Sequence, residues 1–293
     1  MEQGVIVKAL SGFYYVQTAT RLLECRARGR FRLDGTSPLV GDRVQCSLDA
    51  QGRGRIDAVC ERRNWFVRPT VANIDALVFV AANVNPVTDP FLIDRVSVIA
   101  ADAGCELILC LNKTDLDPGE ELFETFSGAG FTVLRTSAET GEGIEELRGK
   151  LRGKISAFTG NSGVGKSSLL NRLLPGVNRP TAEVSEKLGR GKHTTRHVEL
   201  FALGEDSFIA DTPGFASFEL EMMNPIPKER LQYLFPEFEP HLGRCRFLDC
   251  THRREPGCAV TEGVGAGRIA QSRYASYLRL YDLSAQRKEW EYK

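Results

Sequence analysis

The chain has 293 residues, 42% hydrophobic and 26% charged, a composition that excludes a disordered polymer and leaves room for two or three domains. Its formal charge of zero hides a division: residues 1–68 carry 12 Lys and Arg against 7 Asp and Glu (net +5), residues 69–240 carry 16 against 25 (net −9), and residues 241–293 carry 10 against 6 (net +4), so that basic flanks suited to a polyanion enclose an acidic centre. The longest apolar run, residues 76–82, falls far short of the ~20 residues that span a bilayer, and the N-terminus lacks a basic-then-apolar leader, so a cytoplasmic protein without a membrane partner is expected.

Residues 1–66 alternate in the period of short strands, with runs at 4–10, 13–17, 22–27, 41–46 and 54–59. Five strands in so short a stretch predict a small closed barrel of OB-fold type, a common binder of single-stranded nucleic acid. Arg26, Arg28, Arg30 and Arg32 would project to one side of an extended segment, either as an RNA-facing stripe or as a solvated strand face. Arg68-Pro69-Thr70 reads as a linker.

Beyond it, strands alternate with helices, the pattern of a mostly parallel sheet covered on both faces. Residues 74–81 form an apolar strand. Asp89-Pro90 then caps a helix with a Leu92, Val96, Ile99 stripe, residues 107–111 form the next strand, and Asp117-Pro118 starts a second helix. A strand at 132–135, a helix at 143–151, a strand at 155–159 and a helix at 167–174 follow.

Polar motifs stand at the strand ends, where open α/β sheets bind ligands. Gly160-Asn161-Ser162-Gly163-Val164-Gly165-Lys166-Ser167-Ser168 fits G-x-x-x-x-G-K-[ST], whose backbone N–H groups, lysine and helix N-terminus surround phosphate oxygens of ATP or GTP. Asn112-Lys113-Thr114-Asp115 supplies a carboxylate that can accept from guanine N1–H and the 2-amino group together, with Lys113 along the base plane and Asn112 tying this loop to the phosphate loop. Ser137 and Ala138, in Thr136-Ser137-Ala138-Glu139, resemble a loop that contacts guanine through its backbone. Asp211-Thr212-Pro213-Gly214 fits D-x-x-G, in which Asp211 holds Mg2+ through water and the Gly214 N–H senses the γ-phosphate. Together these four motifs specify GTP or GDP with Mg2+ bound by Ser167, Asp211 and a threonine, with Thr195 preferred over Thr194. Lys166 and Mg2+ would absorb charge as water attacks the γ-phosphate. Phe215 stands where many GTPases carry a water-orienting glutamine, and His193 in the 188–197 loop is the expected replacement.

Near the C-terminus, Cys245, Cys250, His252 and Cys258 fall within fourteen residues, the donor set of one tetrahedral structural Zn2+. Arg244, Arg246, Arg253 and Arg254 surround them. The other five cysteines read as reduced core residues, and Ile269, Tyr274, Tyr277, Leu278 and Tyr281 as the packing face of an amphipathic helix. The expected units are an OB-fold RNA-binding barrel (1–67), an α/β P-loop GTPase domain (68–219), and an α-rich zinc module (220–293).

Because the guanine motifs precede the phosphate loop, the GTPase domain is circularly permuted. The barrel with Leu39-Val40-Gly41-Asp42-Arg43-Val44, the permuted motifs, the Gly191-Lys192-His193-Thr194-Thr195 loop and the Cys/His spacing resemble the ribosome small-subunit-dependent GTPase A family of bacteria along essentially the whole chain. The resemblance implies late maturation of the small (30S) ribosomal subunit, binding to its 16S rRNA, stimulation of GTP hydrolysis by the subunit, and release on hydrolysis. A monomer is expected. A protein in which GTP merely gates RNA affinity is the alternative. In either case the D-x-x-G segment leads almost directly into the zinc segment, which would let nucleotide state reposition a basic module.

Overall fold

The computed structural model describes residues 1–29, 31, 37–67, 70–176, 198–204, 206–211 and 226–286. Five strands, β1 (Glu2–Leu10), β2 (Phe13–Thr18), β3 (Leu22–Ala27), β4 (Arg43–Leu48) and β5 (Gly54–Val59), form the expected barrel. They pair in the order β1-β2-β3-β5-β4, and β4 returns to β1 with Glu2 opposite Cys46, so the sheet closes. Alternation along the strands sends Ile6, Val16, Cys25, Val44, Cys46 and Ile56 inward, each no more than 1% exposed. Closure leaves no exposed edge among these strands.

The extended run of arginines ends sooner than the sequence pattern suggests, because β3 stops at Ala27. Arg26 lies over the Phe13 ring at 4.5 Å, and Arg28 is ion-paired to Asp57 at 2.8 Å. Arg30 and Arg32 lie outside the described residues.

Of the stretch expected as a linker, Arg68 and Pro69 lie outside the described residues and Thr70 opens β7 (Thr70–Ala72), which pairs antiparallel with β6 (Trp65–Val67), Val67 opposite Thr70. The barrel is anchored instead by residues 39–42. Ala72 N–H donates to the Val40 carbonyl at 2.8 Å, and Asn73 Nδ2 donates to the Gly41 carbonyl at 3.1 Å. Asp42, fully buried, accepts from Arg62 Nε and Nη2, both at 2.7 Å. A second seam joins β1 to the edge of the next sheet, with Lys8 opposite Glu199 and their side chains 3.1 Å apart.

That sheet runs β10 (Thr132–Thr136), β9 (Glu106–Asn112), β8 (Ala76–Ala81), β11 (Ile155–Thr159), β13 (Ser207–Asp211) and β12 (Glu199–Gly204). All neighbours are parallel except β12 and β13. β8 and β11 are buried at every position, which explains their unbroken apolar sequences. Helices α1 (Pro90–Asp102), α2 (Glu120–Gly128), α3 (Ile144–Lys150) and α4 (Lys166–Leu173) cover the faces. Asp89 caps α1 as expected, accepting from the Phe91 N–H at 2.9 Å. α2 starts two residues beyond Pro118, because Asp117 turns back to accept from the Gly119 N–H at 2.8 Å.

The C-terminal part holds α5 (Lys228–Leu231), a 3-10 turn (Pro236–His241), α6 (Ala259–Gly265) and α7 (Gln271–Ala285). Tyr274, Tyr277 and Tyr281 are buried, confirming the packing face of α7. Of the cysteines expected in the core, Cys25, Cys46, Cys105 and Cys110 are buried, but Cys60 is exposed: it follows the last barrel strand rather than lying within it.

Candidate nucleotide site and metal centre

β11 delivers the phosphate loop from the middle of the parallel sheet, and α4 carries it away. Two glycines are obligatory. Gly160 has φ 135° and a Cβ there would lie 2.1 Å from the Val80 carbonyl oxygen, while Gly165 has φ 96° and its Cβ would lie 2.3 Å from Asn112 Nδ2. Lys166 Nζ donates to the carbonyls of Gly160 (2.5 Å) and Asn161 (2.6 Å), and burial lowers this ammonium to about 8. Ser162 and Gly163 are exposed, Val164 is buried in the core, and Ser167 and Ser168 are half-buried on the first turn of α4.

Asn112, 2% exposed, joins three motifs with one side chain. Its Nδ2 donates to the Val164 carbonyl at 2.8 Å, and its Oδ1 accepts from the Ala138 N–H at 3.1 Å. The tie inferred from sequence is therefore present, and it extends to the third loop. Asp115 is exposed, with Oδ1 accepting from Ser137 Oγ at 2.5 Å. Ser137 thus orients the Asp115 carboxylate, a use of its hydroxyl that the motif alone does not give. Arg172, which the sequence did not single out, reaches from α4 to the Ala138 (2.9 Å) and Glu139 (2.7 Å) carbonyls. Lys113 has φ 66° and its ammonium donates to the Asn85 carbonyl. No periodicity or motif marks Asn85, because its contribution is a main-chain oxygen.

β13 ends at Asp211, next to β11, so the D-x-x-G motif begins beside the phosphate loop. Gly214, His193, Thr194 and Thr195 lie outside the described residues.

Cys245, Cys250, His252 and Cys258 converge, their ligand atoms all within 4.8 Å of one another. Cys245 Sγ lies 3.5 Å from His252 Nδ1 and 4.0 Å from Cys258 Sγ, and His252 Nδ1 lies 3.4 Å from Cys258 Sγ. A tetrahedral zinc ion with bonds of about 2.0–2.3 Å needs ligand separations of roughly 3.3–3.8 Å; both His252–sulfur separations lie in that range and the 4.0 Å sulfur pair lies just beyond it, so the donor set could hold Zn2+ with a slight contraction. The other ring nitrogen, Nε2, sits 2.8 Å from Gln232 Oε1, an arrangement that presents Nδ1 to a metal. Gln232 is twenty residues upstream and carries no spacing signal. Tyr277 OH donates to the Thr251 carbonyl at 2.7 Å and Tyr274 OH to the His252 carbonyl at 2.9 Å, so α7 fixes the ligand loop.

At the barrel mouth, a cavity of about 460 Å³ is lined by Phe13, Tyr14, Arg26, Arg28 and Phe31 among others. Aromatic rings beside guanidinium groups form the chemistry of a base-stacking, phosphate-binding surface.

Comparisons agree with this architecture. Residues 3–56 match the family model of the RsgA N-terminal domain and residues 59–221 that of the RsgA GTPase. A small ribosomal subunit biogenesis GTPase RsgA from Caldanaerobacter subterraneus subsp. tengcongensis is 44% identical over 99% of this chain and 98% of its own length. One from Moorella thermoacetica is 45% identical over 94% and 95%. Among solved structures, YjeQ from Thermotoga maritima matches with a TM-score of 0.85 and 37% identity, covering 98% of this chain and 99% of that one. YloQ, described as a circularly permuted GTPase, matches with 0.81 and 33%, covering 98% and 96%. With barrel, permuted motifs and family matches in register along the chain, it belongs to the RsgA GTPase family and is a GTP-hydrolysing enzyme.

Proposed function

We propose that this GTPase acts in biogenesis of the small ribosomal subunit, binding its 16S rRNA and leaving when GTP is hydrolysed. The observation that carries the nucleotide half is the Asn112 side chain, which bonds the phosphate loop and the Ser137-Ala138 loop at once. Asp115 reads guanine, with Ser137 holding its carboxylate. Gly160 to Ser168 hold the phosphates, and Lys166 transfers its ammonium from loop carbonyls to phosphate oxygens. Ser167, Thr195 and Asp211 are hard oxygen donors suited to Mg2+, which when bound would offset phosphate charge. His193 orients the attacking water in place of the glutamine displaced by Phe215, and Gly214 senses the γ-phosphate.

The proposed units are residues 1–67, 68–219 and 220–293. The first contributes the Phe13, Tyr14, Arg26 and Arg28 surface to RNA, and the last the exposed Arg244, Arg246 and Arg254 beside a zinc-stabilised loop. The protein works in the cytoplasm as a monomer. No described helix is long and apolar enough to cross a membrane.

Co-sedimentation with purified small subunits tests the binding half. A non-hydrolysable GTP analogue retains the protein on the subunit and GDP releases it, with binding weakening as salt rises because phosphate contacts release counterions. Equal retention with both nucleotides contradicts the proposal.

A further inference from the structure

Two parts of the nucleotide site rest on the loop between β8 and α1. The Asn85 carbonyl accepts from Lys113, and Pro86 Cδ lies 3.3 Å from where a Gly163 Cβ would stand. The Asn83 side chain bonds Asp117, just beyond the guanine motif. The loop is closed at its base by Thr88, which is 1% exposed: its N–H donates to the Ala82 carbonyl at 2.9 Å and its Oγ1 accepts from the Ala82 N–H at 3.0 Å. One residue later, Asp89 begins α1.

The far flank of α1 is held by the C-terminal module. Arg273 of α7 is fully buried; Nη1 donates to Asp94 Oδ1 at 2.7 Å and to Ser97 Oγ at 3.1 Å, both on α1. The rest of its guanidinium engages Glu237 at 2.6 and 3.1 Å, and Phe126, Phe131 and Phe235 enclose it with centroids 4.7–5.4 Å away. Arg230 reaches Asp102 at 2.7 Å, and Arg279 lies over Phe91 at 3.7 Å. A desolvated guanidinium shared by two carboxylates tolerates little displacement, because a lost partner leaves a buried charge unpaired.

We infer that Arg273 is a positioning residue for nucleotide binding: from the C-terminal module it fixes α1, and through α1 the 82–88 loop that supports Lys113 and the phosphate loop. The inference rests on the nucleotide reading above and adds a route from the zinc-bearing module to the guanine side of the pocket, separate from the segment after Asp211. A partner that shifts the module would thereby change nucleotide affinity, and nucleotide would change partner affinity by the same factor.

GDP titration of the full zinc-loaded chain tests it. Arg273→Met and Asp94→Asn are each expected to weaken GDP binding about 10-fold with one zinc retained, a coupling of ordinary size. Arg273→Lys recovers part of the loss, and Lys228→Ala, on the module surface, changes nothing. Thr88→Val, at the other end of the route, reproduces the loss and adds little to it in combination with Asp94→Asn. If Arg273→Met sheds its zinc, the isosteric Asp94→Asn decides. Parent-like GDP affinity in Asp94→Asn overturns the inference; a parent chain that fails to bind GDP overturns the functional reading with it.

Discussion

At Asp115 and Gly165 the proposed nucleotide reading turns on single atoms. The Asp115 carboxylate can accept two guanine N–H groups at once, so Asp115→Asn is expected to lower GTP affinity on the order of 100-fold and to favour xanthosine triphosphate, as competition binding would show. Unaltered GTP affinity would remove Asp115 from base reading. Gly165→Ala places a methyl 2.3 Å from Asn112 Nδ2 on a backbone at φ 96°, and nucleotide binding is expected to be lost without loss of the barrel or the zinc module. In the barrel, Asp57 accepts from Ser47 Oγ (2.5 Å) and pairs with Arg55 (3.0 Å) and Arg28 (2.8 Å). The Ser47 hydroxyl, against burial and with the two arginines, holds its carboxyl below the ordinary range. A lowered folded-state pKa stabilises the barrel above the unfolded value of about 3.9 and loses that contribution as pH falls. Asp57→Asn is thus expected to cost about 1–2 kcal/mol at pH 7 and progressively less toward pH 3, read from hydrogen exchange of β4 and β5 amides in both chains at each pH. The motif residues were legible in the sequence because each sits at a fixed offset from its neighbours. Ser137 as a partner of Asp115, Gln232 as a partner of His252 and Arg62 as a partner of Asp42 were not, since each pairing is long-range and any of several polar residues can make it.

At the scale of elements, α1 explains why a periodic pattern can be right and incomplete. Its Leu92, Val96, Ile99 stripe was legible as an apolar face, and the Asp89-Pro90 start was legible from capping chemistry. Yet Asp94, Ser97 and Val98 are also buried, because α7 covers the opposite flank. A polar residue buried by ion pairing looks like a solvent-facing one until its partner, 179 residues away, is known. The Cys/His loop gives the opposite case: its four donor residues were legible from spacing alone and Tyr277 from helical periodicity, although Phe235 and Phe238, which complete the core that receives them with rings 5.0–5.5 Å apart, were not. This core holds the module together, and a bound zinc ion would add to it. Metal analysis is expected to give one zinc per chain, and Cys250→Ser or chelation to increase hydrogen exchange across residues 245–258 while the barrel amides stay protected. A metal-free chain with those amides fully protected would count against the site.

The whole molecule places its two basic ends on opposite sides of the nucleotide motifs in sequence, and both are anchored to the GTPase domain, the barrel at the sheet edge and the C-terminal module at α1. Residues 39–42, legible only as a shared stretch, form the barrel's buried anchor through Asp42 and Arg62, and the Lys8–Glu199 pair adds a seam at the sheet edge. The permutation was legible from motif order. The order also suggested that the D-x-x-G segment feeds directly into a movable zinc module, a passage that lies outside the described residues; the described contacts tie that module to α1, with Arg273 as the rivet. The proposed role makes the small subunit the trigger of turnover. GTP hydrolysis by the pure protein is to be measured alone and with purified small or large ribosomal subunits. Slow unaided turnover and stimulation of at least 10-fold, about 1.4 kcal/mol of barrier lowering, by the small subunit alone are expected; equal rates with either subunit, or no stimulation at all, would overturn that role.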